Sequence, residues 1–287
     1  MVKGIFIKTQ TSGVINLGKF DGILFCTDLD DTLLTTDKRI SDENKQTIEY
    51  FMSEGGLFTF ATGRVVDGAR LMLDRIRPNA PMICFNGAGI YDFSAEKMLS
   101  LVSLDSDAIR AVEFIYNRFP FAAVDICTAS ESCFCRTNAI LEQHKHIENL
   151  KDNYIDYHDV TDPWIKVIFM TEENQVDIIK TAFAESEFAD KYSFVRSSPW
   201  YYELLPKNSD KGQGLIKLAE LLNIPIERTI AMGDNENDIS LVRNAGVGVA
   251  VANAAQSVKQ AANCITVDNN SDAVKAIITA LNKGMLL

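Results

Sequence analysis

Two aspartates, Asp28 and Asp30, follow the apolar segment at residues 23–26 and stand two positions apart. Where the backbone is still extended, side chains at i and i+2 point to the same side, so both carboxyl groups face one space. Two carboxylates at one place are poorly compatible with full ionisation unless a cation joins them, and hard oxygen ligands suit Mg²⁺. A third acid, Asp234, follows another apolar segment and would supply a further oxygen. These acids predict a Mg²⁺ site with room for water and a phosphate group.

Two other residues at the ends of predicted elements point to an anionic ligand. Lys211 stands at the start of an amphipathic helix pattern, where the helix dipole disfavours a cation unless an anion lies beside it. Thr62 ends the strand-like segment at residues 57–62 and would offer a hydroxyl group there. Structural interpretations stay open at this stage, because a first-turn lysine is often solvated and a single acid after a strand is often a turn residue.

Two other metal chemistries fit the sequence less well. A calcium loop that starts at Asp28 would need glycine and glutamate where the chain has Leu33 and Arg39. A zinc site would combine two cysteines with two histidines, but the C-x-C and H-x-H spacings differ from those of the common zinc modules. On a strand, the two cysteines would share one face as ordinary packing residues. The residues of this disfavoured zinc site are Cys133, Cys135, His144 and His146.

Composition and charge limit the kinds of ligand. The chain has 287 residues, 47% of them hydrophobic, which is enough for one large domain or two ordinary ones. Its net charge of −11 disfavours nucleic acid and anionic membranes, so a phosphorylated ligand needs local positive charge. No stretch approaches the roughly 18–20 apolar residues of a membrane span, and the six scattered cysteines are expected to be reduced. We expect a cytoplasmic protein, a monomer or weak homodimer, that binds a small phosphorylated metabolite.

The elements that position these residues follow from the hydrophobic pattern. From residue 21 onward, strand-length apolar segments alternate with helix-length amphipathic segments, which is typical of a parallel α/β sheet. In open α/β sheets the ligand site lies beyond the carboxyl ends of the strands, which is where Asp28, Thr62 and Asp234 stand. Asn86 and Gly87 follow another apolar segment and belong to the same edge.

This alternation is interrupted between residues 90 and 207. Neighbouring strand patterns occur there without helices between them, which implies antiparallel pairing and an inserted α+β unit. The predicted fold is therefore α/β, a Rossmann-like parallel-sheet core with an inserted α+β cap domain. Its predicted parts are an N-terminal extension at 1–20, a core at 21–89 and 208–287, and a cap at 90–207.

Four of these segments occur in the order of a known set of motifs. They are "DLDDT" for D-x-D-x-T, "TFATGR" for a strand that ends in threonine, "DKG" for a helix-borne lysine, and "GDNEND" for G-D-x-x-N-D. From about residue 21 to the C-terminus, the chain resembles the phosphatases of the haloacid dehalogenase superfamily. "FNGAGIYD" and "GVGVAVANAAQSVKQAA" are similar to segments of its Cof-like branch. Asp31 departs from the pattern, because many members have glycine there.

The resemblance implies a Mg²⁺-dependent phosphatase that hydrolyses small phosphorylated metabolites, such as sugar phosphates, through an aspartyl-phosphate. Asp28 is then the nucleophile, and Asp30 is the general acid and base that protonates the leaving group and activates water. Thr62, Lys211 and Asn237 are implied to bind the phosphate. The implied metal site consists of Asp28, Asp30, Asp234 and Asp238, with Asp30 acting through its backbone carbonyl and Asp238 through water or by orienting the ligands.

The resemblance also implies that the cap covers the site, contacts the leaving group and sets the substrate preference. Candidates at the rim of the core are Arg64, Asn86 and Gly87, and Trp200 in the cap could stack on a sugar or another ring. A packing role for Trp200 in the cap sheet stays open. The substrate is left open among sugar phosphates, nucleotides such as flavin mononucleotide, and pyridoxal phosphate.

Two other functions remain open in the sequence. A phosphosugar mutase of the same superfamily would return the phosphoryl group from the aspartate to a sugar and not to water, and the sequence separates it only weakly from a phosphatase. A receiver-like regulatory module also combines an acid cluster with a phosphorylated aspartate, a threonine and a lysine. Such modules are much shorter than this chain and have no inserted cap, so we favour the enzyme.

Overall fold

The structure is a computed structural model that describes residues 18–70 and 72–286. Most of the predicted N-terminal extension, residues 1–17, lies outside the described residues. The two described ranges form one parallel sheet and two antiparallel sheets, with helices packed against them. None of the helices in these ranges has the length and apolar character that crossing a bilayer requires.

The first part of the chain forms two buried parallel strands, and a capped helix connects them. Ser41 begins that helix, because its hydroxyl oxygen accepts a hydrogen bond from the Asn44 N–H at 3.1 Å. The pattern after the second strand predicts a helix over residues 65–76, but the described helix there has five residues and contains Gly68, which weakens helices. The elements are β1 (Leu24–Thr27), α1 (Asp42–Ser53), β2 (Leu57–Phe60), α2 (Val66–Arg70), β3 (Met82–Cys84), β4 (Gly89–Asp92) and β5 (Lys97–Leu101).

The middle of the chain forms the antiparallel cap sheet, in the order β7-β6-β8-β10-β9. One face of this sheet buries Val124 and Phe169 in an apolar cluster with Phe183 of a cap helix. The opposite face buries Ile168 and Met170 in a cluster that the cap shares with the core. The elements are α3 (Ala108–Arg118), β6 (Ala123–Cys127), β7 (Ser132–Arg136), α4 (Ala139–Glu148), β8 (Lys166–Met170), α5 (Glu173–Ala184), β9 (Ser193–Ser198) and β10 (Tyr201–Leu205).

The last part of the chain completes the parallel core sheet, in the order β13-β12-β11-β1-β2. Thr27 at the end of β1 is in register with Phe60 of β2 and Met232 of β11, so these three strands end at the same edge. The predicted fold, a parallel core with an antiparallel cap, is confirmed. The elements are α6 (Lys211–Leu222), β11 (Thr229–Gly233), α7 (Ile239–Asn244), β12 (Val247–Ala250), α8 (Gln256–Ala261), β13 (Cys264–Ile265) and α9 (Ala273–Asn282).

The third sheet, β3-β4-β5, joins the core to the segment that precedes the cap. A parallel bridge between Ala61 and Ile83 attaches β3 to the end of β2, and β4 and β5 pair antiparallel beside it. The sequence pattern does not predict β4 and β5, because their residues are short strands within a segment rich in turn residues. This sheet spans the predicted border between residues 89 and 90, and we propose the division into core and cap on the pattern alone.

Gly87 allows the loop after β3 to lie against the beginning of α6. Its φ of +99° is in the region that residues with a side chain rarely adopt. A Cβ atom at this position would overlap the backbone carbonyl group of Asp210, the residue that caps α6. The close approach of these two backbones therefore requires glycine.

We expect Gly87→Ala to lower the free energy of unfolding by about 3 kcal/mol, because the left-handed backbone costs about 1–2 kcal/mol and the overlap adds the rest. Gly284→Ala is the matched control, because Gly284 has a φ of +67° but no atom lies within 4 Å of its Cβ position. Urea unfolding of both variants measures the difference. Equal losses in the two variants would contradict the packing role of Gly87.

Candidate active site

The carboxyl ends of β1 and β11 bring three carboxyl groups together. Asp28 directly follows β1, and its N–H donates to the carbonyl oxygen of Met232 in β11 at 2.9 Å. Asp234 and Asp238 follow β11, and one oxygen of each of the three carboxyl groups lies within 4.8 Å of the others. Within residues 18–70 and 72–286, this is the only cluster of acidic, histidine or cysteine side chains close enough to hold a metal ion.

Lys211 reaches this cluster from the first turn of α6. Its Nζ donates to Asp28 Oδ1 and to Asp238 Oδ1, each at 2.6 Å. Burial alone would lower the pKa of Lys211, but Asp238 and Asp28 outweigh it, so the pKa is raised and the ammonium group stays charged. The side chain is only 1% exposed, so Lys211 is not a solvated helix lysine.

The loop after β11 is organised around Asp238. Its Oδ2 accepts the N–H groups of Asp234 at 2.9 Å and of Asn235 at 3.1 Å, which fixes the turn. Thr32 donates its hydroxyl to Asp234 Oδ1 at 2.8 Å and so orients the Asp234 carboxyl group. The turn therefore holds Asp234 and Asp238 in the cluster from one side, while Thr32 holds Asp234 from the other.

The electrostatics of the cluster favour an added cation. Burial raises the pKa of Asp28 well above its ordinary value, and Asp238 and Asp234 add to this effect while Lys211 opposes it. Burial and the neighbouring Asp238 also raise the pKa of Asp234 to about 7. A divalent cation beside these oxygens would favour the ionised forms, and three carboxyl groups are the hard oxygen ligands that such a cation takes. The residues present therefore fit a divalent cation held by Asp28, Asp234 and Asp238.

Asp30 stands apart from this cluster and is held by cations. Arg64 contacts both of its carboxylate oxygens, with Nε at 3.0 Å from Oδ2 and Nη2 at 3.0 Å from Oδ1, and Lys38 Nζ lies 3.2 Å from Oδ1. Burial would raise the pKa of Asp30, but Arg64 and Lys38 outweigh it and lower the pKa. The carboxyl group is therefore ionised here.

Arg64 also connects the core to the cap. Its Nη1 lies 3.1 Å from Oε1 of Glu148, the last residue of cap helix α4. His144, one turn earlier on the same helix face, meets Tyr201 of β10 edge to face, with ring centroids 5.2 Å apart. Burial, together with Lys166 and Arg64, lowers the pKa of His144 to about 3, so its ring is neutral.

The sequence pattern does not indicate Glu148 or Tyr201 as residues of the site, and it offers His144 only as part of the disfavoured zinc site. The spacing of four between His144 and Glu148 on a predicted helix was the available signal, because it places both on one face. Trp200 lies in the turn before β10 and is 42% exposed. Tyr201, the next residue, contacts His144 and is partly buried.

The loops after β2 and β3 form the remaining side of the site. Thr62 is buried, and its carbonyl oxygen accepts the Asn86 N–H at 3.1 Å. Asn86 Oδ1 accepts from Asn237 Nδ2 at 3.1 Å, so the loop after β3 is tied to the turn after β11. Asn86 Nδ2 donates to Glu203 Oε2 of the cap at 3.0 Å. The residues predicted to bind phosphate and substrate at the rim of the core therefore lie on connected loops.

Comparison with known proteins gives one family and several relatives. The family model described as haloacid dehalogenase-like hydrolase matches residues 25–278. The 5-amino-6-(5-phospho-D-ribitylamino)uracil phosphatase YcsE of Bacillus subtilis is 28% identical, over 89% of this chain and 94% of YcsE. The structure of TM0651 from Thermotoga maritima is 25% identical, with a TM-score of 0.74 over 90% of this chain and 96% of that one. The sugar phosphatase BT4131 shares the fold, with a TM-score of 0.78 at 19% identity over 92% of this chain and all of BT4131.

We expect Thr32→Val to weaken the binding of Mg²⁺ by about 10-fold or more, because Asp234 loses the donor that orients it. Thr59→Val is the matched control, since Thr59 is equally buried but donates to the carbonyl oxygen of Pro81, away from the cluster. Isothermal titration calorimetry with Mg²⁺ alone gives both affinities. The same affinity in the two variants would contradict the role of Thr32.

The raised pKa of Asp234 should make the stability of the metal-free protein depend on pH. Its pKa of about 7 in the folded state exceeds the ordinary value of 3.8, so the folded state binds more protons between these values. Stability therefore falls as the pH rises from about 4 to about 7. In a chelator, we expect the wild-type Tm to fall by at least about 3 °C between pH 5 and pH 8.

Asp234→Asn should remove part of the fall in Tm between pH 5 and pH 8. The rest of the fall comes from other buried acids such as Asp125, because burial raises its pKa to about 7. Excess Mg²⁺ at pH 8 should raise the Tm of the wild type and not that of the variant. Thermal unfolding across the pH range measures both effects. Parallel pH profiles for the two proteins would be incompatible with this account.

Proposed function

Because the chain belongs to the haloacid dehalogenase-like hydrolases, we propose that it is a Mg²⁺-dependent phosphatase that acts on small phosphorylated metabolites through an aspartyl-phosphate at Asp28. It is a phosphomonoester hydrolase, in line with relatives that are phosphatases and align along most of their length. The observation that carries the proposal is the buried contact of Lys211 with Asp28 and Asp238, beside Asp234.

Asp28 is the nucleophile of the proposed reaction. Lys211 engages its Oδ1 at 2.6 Å, and within the described part of the chain no hydrogen bond engages Oδ2. Oδ2 is therefore available to form a bond to phosphorus while the bond between phosphorus and the leaving oxygen breaks. The product of this step is an aspartyl-phosphate and the free alcohol.

Asp30 carries the proton in both steps. In the first step it gives a proton to the leaving oxygen, and in the second it takes a proton from the water that attacks the aspartyl-phosphate. The bidentate contact with Arg64 holds Asp30 in its ionised form, which is the form needed for the second step. The first step needs the protonated form, so Asp30 has to separate from Arg64 and take up a proton from solvent before the leaving oxygen departs; Glu148 is the second carboxyl group that Arg64 contacts.

Groups held in place by the fold stabilise the negative charge of the transferred phosphoryl group. The ammonium group of Lys211 and the hydroxyl group of Thr62 are the candidates from the chain, because both are buried beside the carboxyl ends of the strands. Asp28, Asp234 and Asp238 would hold Mg²⁺, which would supply positive charge and offset the repulsion among the carboxylates. Asn237 supports this side by holding Asn86.

The proposed substrates are phosphate esters of small hydroxylated metabolites, with sugar phosphates among them. YcsE supports this class, because its named substrate carries the phosphate on a ribityl chain, which is a polyhydroxylated leaving group. Relatives named as phosphatases favour transfer to water over transfer to a sugar, as a mutase would perform. Release of inorganic phosphate, as opposed to formation of an isomeric sugar phosphate, separates the two reactions.

We expect Asp28→Asn to lower turnover by at least about 1,000-fold while the fold is kept, because the variant lacks the attacking oxygen. Asp31→Asn is the matched control, since Asp31 lies three residues away, is half exposed and pairs with Lys38 alone among the charged residues that the structure describes. Release of phosphate from p-nitrophenyl phosphate with Mg²⁺ measures turnover, and circular dichroism checks the fold. Normal turnover in Asp28→Asn would reject the assignment.

A further inference from the structure

Three charged side chains cross the side of the cap sheet that faces the core. Asp125 lies on β6, Lys166 on β8 and Glu203 on β10, and we call these three residues the polar band. They are 0%, 3% and 2% exposed, respectively. Ile168 pairs with both Asp125 and Glu203 in the strand register, and Ile168 belongs to the apolar cluster shared with the core, so the band faces the core as well.

Two members of the polar band contact the loops of the active site directly. Lys166 and Glu203 form an ion pair at 2.8 Å. Lys166 Nζ also donates to the carbonyl oxygen of Gly63, the residue after Thr62, at 2.9 Å. Glu203 Oε2 accepts from Asn86 Nδ2 at 3.0 Å. The band therefore lies against the loops that follow β2 and β3, next to the proposed phosphate site.

The third member, Asp125, has an unused acceptor. Its Oδ1 is buried and has no hydrogen-bond partner within residues 18–70 and 72–286. A buried acceptor without a partner is unfavourable and rare in folded proteins, so it calls for a reason. Burial also raises the pKa of Asp125 to about 7, although Lys166 opposes this. A ligand hydroxyl group would satisfy this oxygen.

We propose that the polar band determines substrate specificity by binding hydroxyl groups of the leaving group, so that phosphate esters of neutral, polyhydroxylated alcohols are preferred. This inference rests on the proposed phosphatase function. Hydroxyl groups can donate to Asp125 and Glu203 and accept from Lys166, so one kind of group suits all three members.

The charge balance around the band disfavours a second anionic group on the substrate. Lys166 is already paired with Glu203, and Arg64 is shared between Asp30 and Glu148. A second phosphate or a carboxylate would therefore find these two cations engaged, and binding it would break a buried ion pair. On substrate binding, the contacts of Lys166 and Glu203 with the core loops are exchanged for contacts with neutral hydroxyl groups.

Asp125→Leu tests the proposal with two substrates. We expect kcat/KM for sorbitol 6-phosphate to fall by about 10–100-fold, because one hydrogen bond to a charged acceptor is lost. Hydrolysis of p-nitrophenyl phosphate, whose leaving group has no hydroxyl group, should stay within about 3-fold of wild type. The Tm should rise, since an unpartnered buried carboxyl group is removed. Asp125→Asn, which keeps the size of the side chain, should show a smaller loss for sorbitol 6-phosphate.

A double variant, Lys166→Met with Glu203→Gln, removes the ion pair without leaving one charge buried alone. We expect it to lose at least about 10-fold more activity toward sorbitol 6-phosphate than toward p-nitrophenyl phosphate, because only the former has hydroxyl groups on its leaving group. Lys191→Met with Asp107→Asn is a control for the loss of a cap ion pair, because this partly exposed pair, at 2.6 Å, lies outside the band. The wild type should also prefer sorbitol 6-phosphate to fructose 1,6-bisphosphate in kcat/KM.

Equal losses with both substrates in the band variants would overturn the proposal, because the band would then only support the active-site loops. No loss with sorbitol 6-phosphate would overturn it as well. A wild type that hydrolyses p-nitrophenyl phosphate but no polyol or sugar phosphate would reject the specificity inference and leave the phosphatase function intact. If the wild type were as inactive as Asp28→Asn toward all of these esters, both the specificity inference and the phosphatase function would be rejected.

Discussion

The contact of Lys211 with Asp28 and Asp238 is the interaction on which the rest of the molecule depends. Three carboxyl groups gathered at one buried place repel each other, and the single ammonium group between two of them offsets only part of this cost. The arrangement requires residues from β1, β11 and α6 to meet at one edge, although Asp28 and Lys211 are separated by 183 positions in sequence. A parallel sheet satisfies this requirement, because all of its strands end at the same edge.

The same requirement explains which features the sequence could predict. The core residues Asp28, Thr62, Lys211 and Asp234 stand at ends of strongly patterned elements, so the pattern alone places them at one edge of the sheet. The cap residues have no such anchor, because their position depends on how the cap sheet packs on the core. Tyr201 illustrates this limit. Neighbouring residues of a strand point to opposite faces, so an error of one position in the sequence selects a residue on the wrong face of β10.

Contacts between the cap and the core include polar and apolar groups. Arg64 connects Asp30 to Glu148, and the ion pair of Lys166 with Glu203 contacts the loops that carry Gly63 and Asn86. Polar contacts of this kind can be exchanged for contacts with a ligand at little net cost, because a ligand can offer similar donors and acceptors. The apolar cluster shared by the cap and the core has no such alternative partner and holds the two parts together.

The buried charges of the core and the cap therefore call for different explanations. In the core, the carboxyl groups that repel each other are the groups that the proposed metal ion and phosphoryl transfer need. Their electrostatic repulsion is therefore a consequence of the proposed reaction. In the cap, apolar residues at the positions of Lys166 and Glu203 would pack the sheet at no electrostatic cost. Asp125 strengthens this argument, since its unpartnered oxygen has no structural role among the described residues. The leaving-group binding that we propose for the polar band would explain why this sheet face retains three buried charged residues.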